Sequence, residues 1–391
     1  MDIKEIAAKY EPWVIDMRRH FHANPEPSRQ EEATARRVRE ELTRLGVEWQ
    51  PCGAGYGTLA TIRGGKPGKT ILLRADMDAL EVQEDTGAEY ASRTPGVMHA
   101  CGHDCHTAML LGAAAILCEM KSELPGTVRL AFQPAEEVGE GACDMIAHGA
   151  IEGVDACFAI HVWADVDSGK VAVPAGPRMA AADQFRIEIT GRGSHGAAPH
   201  QGVDAVVAVC SMANALQTVV SREIDPLQSA VLTVGMVGAG TRFNVVSERG
   251  FLEGTTRSFS PEVRQQLQDA IFRIMQHTAA ANRVEAELLW NPTIIGVPPL
   301  ANDPGVSAAA ERAARLVMGE DAPIWTEKTG GAEDFAFFLE KAPGALALLG
   351  IRNPECGAVH PHHSGRFCVD ESALIRGAML YAQTAVEVNG T

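Results

Sequence analysis

Basic residues are scarce in this 391-residue chain, which sets 34 Lys and Arg against 50 Asp and Glu for a formal net charge of −16. That balance argues against a nucleic-acid surface, because phosphates would be repelled. It leaves room for a small anionic substrate, since bound cations reverse the local field. Long apolar runs are missing as well. The longest, Thr107 to Cys118, falls short of the roughly 20 residues of a membrane span and reads as a helix buried on most sides. No membrane association is expected. No apolar secretory leader opens the chain; Met1-Asp2-Ile3-Lys4-Glu5 begins a charged amphipathic helix instead. The nine cysteines are an odd number with no paired framework, which points to a reduced, cytoplasmic setting.

Several familiar signatures are absent too. His-Glu-x-x-His and the His-x-Glu of zinc deaminases do not occur. Gly68-Lys69-Thr70 has no glycine five positions earlier and leads into a strand, so it is not a phosphate loop. Gly191 to Gly196 spells the dinucleotide fingerprint, yet no acidic residue follows about 20 positions on and no helix opens on it. Cys101 and Cys105 have the wrong spacing for a thioredoxin-type pair.

What is present is concentrated. Met98-His99-Ala100-Cys101-Gly102-His103-Asp104-Cys105-His106-Thr107 packs two thiols, three imidazoles and a carboxylate into ten residues before an apolar helix. Metal ligation explains that density better than packing does. Glu136-Glu137 follow a strand, and such neighbours repel when buried unless cations neutralise them. One carboxylate can bind a metal while the other faces the bound water. His161 lies inside the apolar strand Phe158 to Trp163; alone it would read as a core histidine, but a site short of one ligand favours ligation. His363 competes with His360 and His362 in a His-rich loop. His195 and His200 on a Gly-rich loop, and Asn244 and Arg257, are unremarkable taken singly.

The length suits two domains. The first half alternates strands (70–74, 127–132, 156–162) with a helix over 107–120, and polar groups collect past the strand ends, where open α/β sheets place their sites. From Asp183 to Trp290 the order becomes βαββαβ, the pattern of a compact sandwich. A helix over 308–318 and a strand over 345–350 come after it. The expected division is 1–180 and 293–391 for an α/β site-bearing domain, interrupted by 181–292.

The chain resembles the amidohydrolase branch of the aminoacylase and carboxypeptidase-G-like dinuclear metallopeptidases, which includes hippurate and auxin-conjugate hydrolases. Matching pieces are Arg18 to Glu26, Arg74 to Leu80, Met98 to Asp104, Phe132 to Glu137, Gly191 to His200, Gly254 to Arg257 and Glu333 to Phe335, in order across residues 12–385. The resemblance implies a di-metal exopeptidase-type catalytic domain with a smaller lid or dimerisation domain. Cys101, His103, Glu137, His161 and His363 would be the ligands of two divalent ions, the thiolate bridging them. Glu136 would be the general base and Asp78 would orient a ligand histidine. Asn244 and Arg257 would hold the substrate carboxylate, and His195 would reach a neighbouring subunit's site in a homodimer and stabilise the oxyanion. Mixed sulfur, nitrogen and oxygen ligands suit Zn²⁺, with Mn²⁺, Co²⁺ or Ni²⁺ as replacements. The expected reaction is hydrolysis of an N-acyl-L-amino acid. A dipeptidase or aryl-amide hydrolase with the same metals, or a non-catalytic metal- or ligand-binding relative, are the alternatives. Glu81, Ser247 and Gly365 each stand where the family places proline.

Overall fold

The computed structural model describes residues 2–390, and its contacts separate into two units. One holds the chain up to Gly176, Ala301–Glu327 and everything from Asp334 onward; the other holds Pro177–Leu300 and Lys328–Glu333. The crossings at 176/177 and 300/301 lie four residues before and eight residues after the sequence-based cuts at 180/181 and 292/293, and the return segment Lys328–Glu333 has no counterpart in that division. Short strands straddle both main crossings, so no loop composition marks them.

The first unit opens with helices α1 (Ile3–Ala23) and α2 (Glu32–Arg44) and strands β1 (Glu48–Pro51), β2 (Thr58–Arg63) and β3 (Lys66–Asp76). It continues through α3 (His103–Glu119), β4 (Pro125–Gln133), α4 (Gly141–Ala147), β5 (Ala156–Asp167) and β6 (Val171–Ala172). By way of β7 (Gly176–Met179) the chain enters the second unit, formed by β8 (Ala181–Thr190), β9 (Ser194–His195), α5 (Ala205–Leu216), β10 (Ala230–Ala239), β11 (Val245–Val246), β12 (Arg249–Ser258), α6 (Pro261–Asn282) and β13 (Glu285–Trp290). After β14 (Leu300–Asn302) the first unit resumes with α7 (Pro304–Met318), β15 (Pro323–Ile324), α8 (Ala336–Leu339), β16 (Gly344–Arg352) and α9 (Ser372–Asn389).

The first unit is built on an eight-stranded sheet in the order β1-β2-β4-β3-β5-β16-β6-β15. Its centre is parallel: β3 runs with β4 and with β5, and β5 with β16. Those strands are mostly apolar at their centres, and residues 71–76 of β3, with Arg74 paired to Asp76, and 344–351 of β16 are buried throughout, as a sheet covered on both faces requires. Helix α3 is buried along its whole apolar length, and its Leu110 and Leu111 share one core with Val14 and Phe21 of α1, Ala313 of α7 and Leu374 of α9. Each such leucine or phenylalanine contributes about 1.5–3 kcal/mol by leaving water. The buried Tyr381 hydroxyl joins two strands, donating to the Arg74 carbonyl at 2.7 Å and accepting from the Ile160 amide at 3.0 Å. The parallel strands deliver their carboxyl ends together: β3 ends at Asp76, β4 leads to Glu136, and β5 carries His161.

The second unit orders its strands β10-β12-β8-β13, every pair antiparallel. Strand β8 alternates buried and half-buried residues, and Phe185, Ile187 and Ile189 face Met212 and Leu216 of α5 and Leu267 and Ile271 of α6 in one core. The stretch Ala205–Glu223 is, among the described residues, the one helical segment long and apolar enough to cross a membrane by composition, with mean hydropathy 1.3. Its buried face packs into this core, and α-helical geometry stops at Leu216, giving way to a wider turn over Val219–Glu223.

Candidate metal centre

The centre forms where α3 begins. The helix starts at His103 rather than at Thr107, because Gly102 takes a left-handed conformation (φ 98°) that turns the chain into the helix. A Cβ on Gly102 would lie 2.4 Å from Val162 Cγ2, so β5 passes too close for any other residue. Cys101 and His103 are thereby set on either side of a fixed corner.

His103 is aimed by Asp78. Its Nδ1 lies 3.1 Å from Asp78 Oδ1, which assigns the proton to Nδ1 and leaves Nε2 as the donor atom. Asp78 Oδ2 accepts from the Ser28 hydroxyl at 2.7 Å and the Glu137 amide at 3.0 Å. His161 donates from Nδ1 to the Val162 carbonyl at 2.6 Å, and its Nε2 stands 3.5 Å from Cys101 Sγ. The Glu136-Glu137 pair is reached from β4 through Ala135, whose φ of 56° is left-handed. His363, also left-handed at φ 63°, is tied by its amide to the Ala100 carbonyl at 2.8 Å and points Nε2 to within 3.6 Å of Glu137 Oε1. His362 faces elsewhere: its Nε2 accepts the Ala164 amide at 3.1 Å while its ring packs on Trp163 and Phe367. Burial, aided by His106, pushes the His362 pKa down to about 4.

Donor atoms converge in overlapping triads, Cys101-His103-His161 and Cys101-Glu137-His363, with a third of His103, Glu136 and Glu137; within each the atoms lie inside 4.8 Å of one another. Cys101 belongs to the first two, as a bridging ligand would. The residues fit divalent cations on an independent ground. His103 Nε2 and Glu137 Oε1 are buried with no hydrogen-bond partner, and leaving such atoms unpaired costs about 1–3 kcal/mol each. A cation between them supplies the missing partner.

The electrostatics agree. Burial pushes the Cys101 thiol well above its usual range despite the opposing pull of His103, and burial with Asp78 raises Glu137. His161 is held well below the usual histidine value by burial and by His106 and His362. Burial also disfavours a charged His103, but Asp76, Cys101 and Asp78 outweigh it and raise this ring well above its ordinary value. Bound cations would reverse the balance at the thiol and carboxylate, drawing off their protons.

Several supporting residues carry no assigned role from sequence. His106, one helical turn after His103, accepts the Val162 amide on Nε2 at 2.8 Å and gives its Nδ1 proton to Asp76, steadying the strand beside His161. Arg74 pairs with Asp76 and, at 2.8 Å, with Asp334, which also accepts from Gln133. The spacing of His103 and His106 is the available signal for the first of these; nothing local marks the Asp334 partnership. The Asp334 amide reaches toward Glu136 Oε1 at 3.4 Å.

The remaining candidates belong to the second unit. His195 on β9 pairs with Val245 on β11, and its Nδ1 accepts the Ala197 amide at 3.0 Å. Asn244 stands just before β11, its carbonyl accepting from Gly196 at 2.8 Å, and its side-chain oxygen is buried without a partner. Arg257 lies on β12, hydrogen-bonded to Thr255 and to the Thr256 carbonyl, with burial lowering its pKa. The five metal-ligand candidates converge within the first unit.

Against known proteins, the profile of peptidase family M20/M25/M40 matches residues 72–387. The chain is 41% identical over 390 residues to thermostable carboxypeptidase 2 of Saccharolobus solfataricus, covering 99% of this chain and 97% of that one. It is 41% identical over 378 residues to N-acetyl-L-cysteine deacetylase of Bacillus subtilis, covering 96% and 88%. Among solved structures, a Bacillus subtilis protein described as a dinuclear metal binding peptidase of the M20 family superimposes with a TM-score of 0.86 at 34% identity, covering 98% and 99%.

Proposed function

This chain belongs to peptidase family M20/M25/M40, and from that premise we propose that it hydrolyses the amide bond of N-acyl-L-amino acids, releasing a carboxylate and a free amino acid. The observation that carries this reading is the sharing of Cys101 Sγ between two donor triads, with Glu136 in the adjoining one. Cys101, His103, Glu137, His161 and His363 would hold two divalent cations, Zn²⁺ first, with Mn²⁺, Co²⁺ or Ni²⁺ able to replace it. When bound, the cations polarise the amide carbonyl and lower the proton affinity of the attacking water, toward a pKa of about 7 in the single-zinc reference case.

The chain's own residues do the rest. Glu136 takes a proton from the attacking water and delivers it to the departing amine nitrogen. Asp78 keeps the His103 tautomer fixed. His195 as oxyanion donor, acting on a neighbouring subunit's substrate, and Asn244 and Arg257 as holders of the substrate carboxylate are proposals carried by the family resemblance. A homodimer is supported by β10, an edge strand of its sheet that leaves Val231, Met236 and Val237 exposed, the last two at 56% and 57%. Nine free cysteines support a reduced, cytoplasmic setting.

The name of the archaeal carboxypeptidase favours a second reading, in which a peptide bond is cut by the same centre. Elemental analysis combined with turnover of N-acetyl amino acids, N-benzoyl amino acids and dipeptides separates the readings. Two ions per chain with preferred cleavage of N-acyl amino acids is expected. Preferred cleavage of dipeptides would move the assignment to a peptidase. Two bound ions with no turnover of any of them would leave a non-catalytic relative.

A further inference from the structure

Between α1 and α2 the chain runs as an irregular strap, and three of its side chains make contacts that a simple connector does not need. Glu26 anchors the strap by accepting the Ala33 and Thr34 amides at 3.0 and 2.7 Å, and its carbonyl accepts the Ala79 amide at 2.9 Å. Ser28 donates to Asp78 Oδ2 at 2.7 Å. Glu31, fully buried, accepts the Ala135 amide on Oε1 at 2.8 Å while its Oε2 has no partner.

The Ala135 contact matters because Glu136 and Glu137 are the next two residues of the chain. Ala135 is held left-handed, a conformation unfavourable for a non-glycine residue that persists only when its surroundings impose it. The surroundings are Glu31 on the amide side and the Glu140 and Gly141 amides on the carbonyl side, each at 3.2 Å. The direction in which both carboxylates leave the turn is therefore set by the Ala135 peptide. Strap and turn are 104 positions apart in the chain. We propose that Glu31 is a positioning residue that aims the Glu136-Glu137 turn at the metal centre, with Ser28 as its counterpart on Asp78. This inference rests on the hydrolase reading above.

The test compares wild type, Glu31→Ala and Glu31→Gln by metal affinity in chelator competition, by kcat and KM on an N-acyl amino acid, and by circular dichroism melting. Gln keeps an oxygen acceptor for the Ala135 amide; Ala removes it. Partners behind a metal ligand are typically worth about 10–100-fold in affinity or activity. Glu31→Ala is therefore expected to weaken metal binding and lower kcat by at least about tenfold, with KM within about twofold. Glu31→Gln should recover both to within about threefold of wild type. If Glu31→Ala fails to fold, Glu31→Met, which keeps the length and lacks the acceptor, carries the same expectation. A working wild type matched within about twofold by Glu31→Ala, or a Gln variant as impaired as Ala or Met, overturns the positioning role. A wild type that binds no cations and turns over nothing instead overturns the hydrolase reading, which keeps the two failures apart.

Discussion

Two adjacent glutamates in one turn divide their surroundings unequally. Both carboxylates face His103, at 4.0 and 3.9 Å, but Glu137 also has its amide on Asp78 and an oxygen 3.6 Å from His363, whereas Glu136 takes the Asp334 amide. That division supports a ligand and a base, and it makes Glu136→Gln informative, because the shape survives and the proton acceptor does not. Two ions per chain should remain by elemental analysis, with kcat reduced about 10²–10⁴-fold; a variant that keeps most of its turnover would remove Glu136 as the base. A second residue-scale expectation concerns acid. Burial raises the Glu84 pKa, but hydrogen bonds from His22, Thr86 and the Ser92 amide outweigh it and bring the carboxyl down to about 2. Its folded value thus lies below its ordinary value of about 4.3. The stabilisation is fully present above that ordinary value and is lost as pH falls through about 2. Thermal melts of metal-free protein should therefore show a shallower loss of Tm between about pH 5 and 2 in Glu84→Gln than in wild type. Parallel slopes would show that Glu84 is not part of the acid response.

At the scale of elements, the corner at Gly102 is tightly constrained beside the candidate ligands. Gly102→Ala would combine a left-handed alanine with a methyl driven against Val162 on β5. We expect a loss of about 1–3 kcal/mol in unfolding free energy together with fewer than two bound ions, since Cys101 and His103 flank the corner. Calorimetry and elemental analysis check it, and a variant with full metal content and unchanged Tm would show that the corner tolerates a side chain. The same corner explains where sequence reading stops. The sequence pattern of α6 points to a helix from Pro261 to about Ala281, and the helix spans Pro261–Asn282, because Ser260 accepts the Val263 amide as a cap and proline occupies the first turn. The pattern of α3 points to a start at Thr107, since His103 to His106 are polar and look like loop; they are instead buried helix held by long-range partners. Cys101, His103 and Glu136-Glu137 are legible as candidates because each lies in a dense local pattern. Asp76 with His106, and Glu31 with Ala135, are not, because each pairing exists only after strands and helices dock across 30 and 104 positions.

For the whole molecule, the division into two units separates the metal-ligand candidates from His195, Asn244 and Arg257. If β10 forms the dimer edge, Met236→Lys combined with Val237→Asp should shift sedimentation velocity from dimer to monomer, because charges on an exposed strand edge block pairing. A dimer that persists unchanged would place the interface elsewhere. His195→Ala measured beside it should lose about two to three decades in kcat if His195 is an oxyanion donor.

His363 comes after the inserted unit in the chain, whereas Cys101, His103, Glu137 and His161 all precede it. Synthesis runs from the amino end, so four of the five candidate donors, the thiol included, are made before the insertion and the fifth only after it. If these five residues are the ligands, the full set has to wait until synthesis passes residue 363, and a chain that stops inside the insertion would lack the His363 donor.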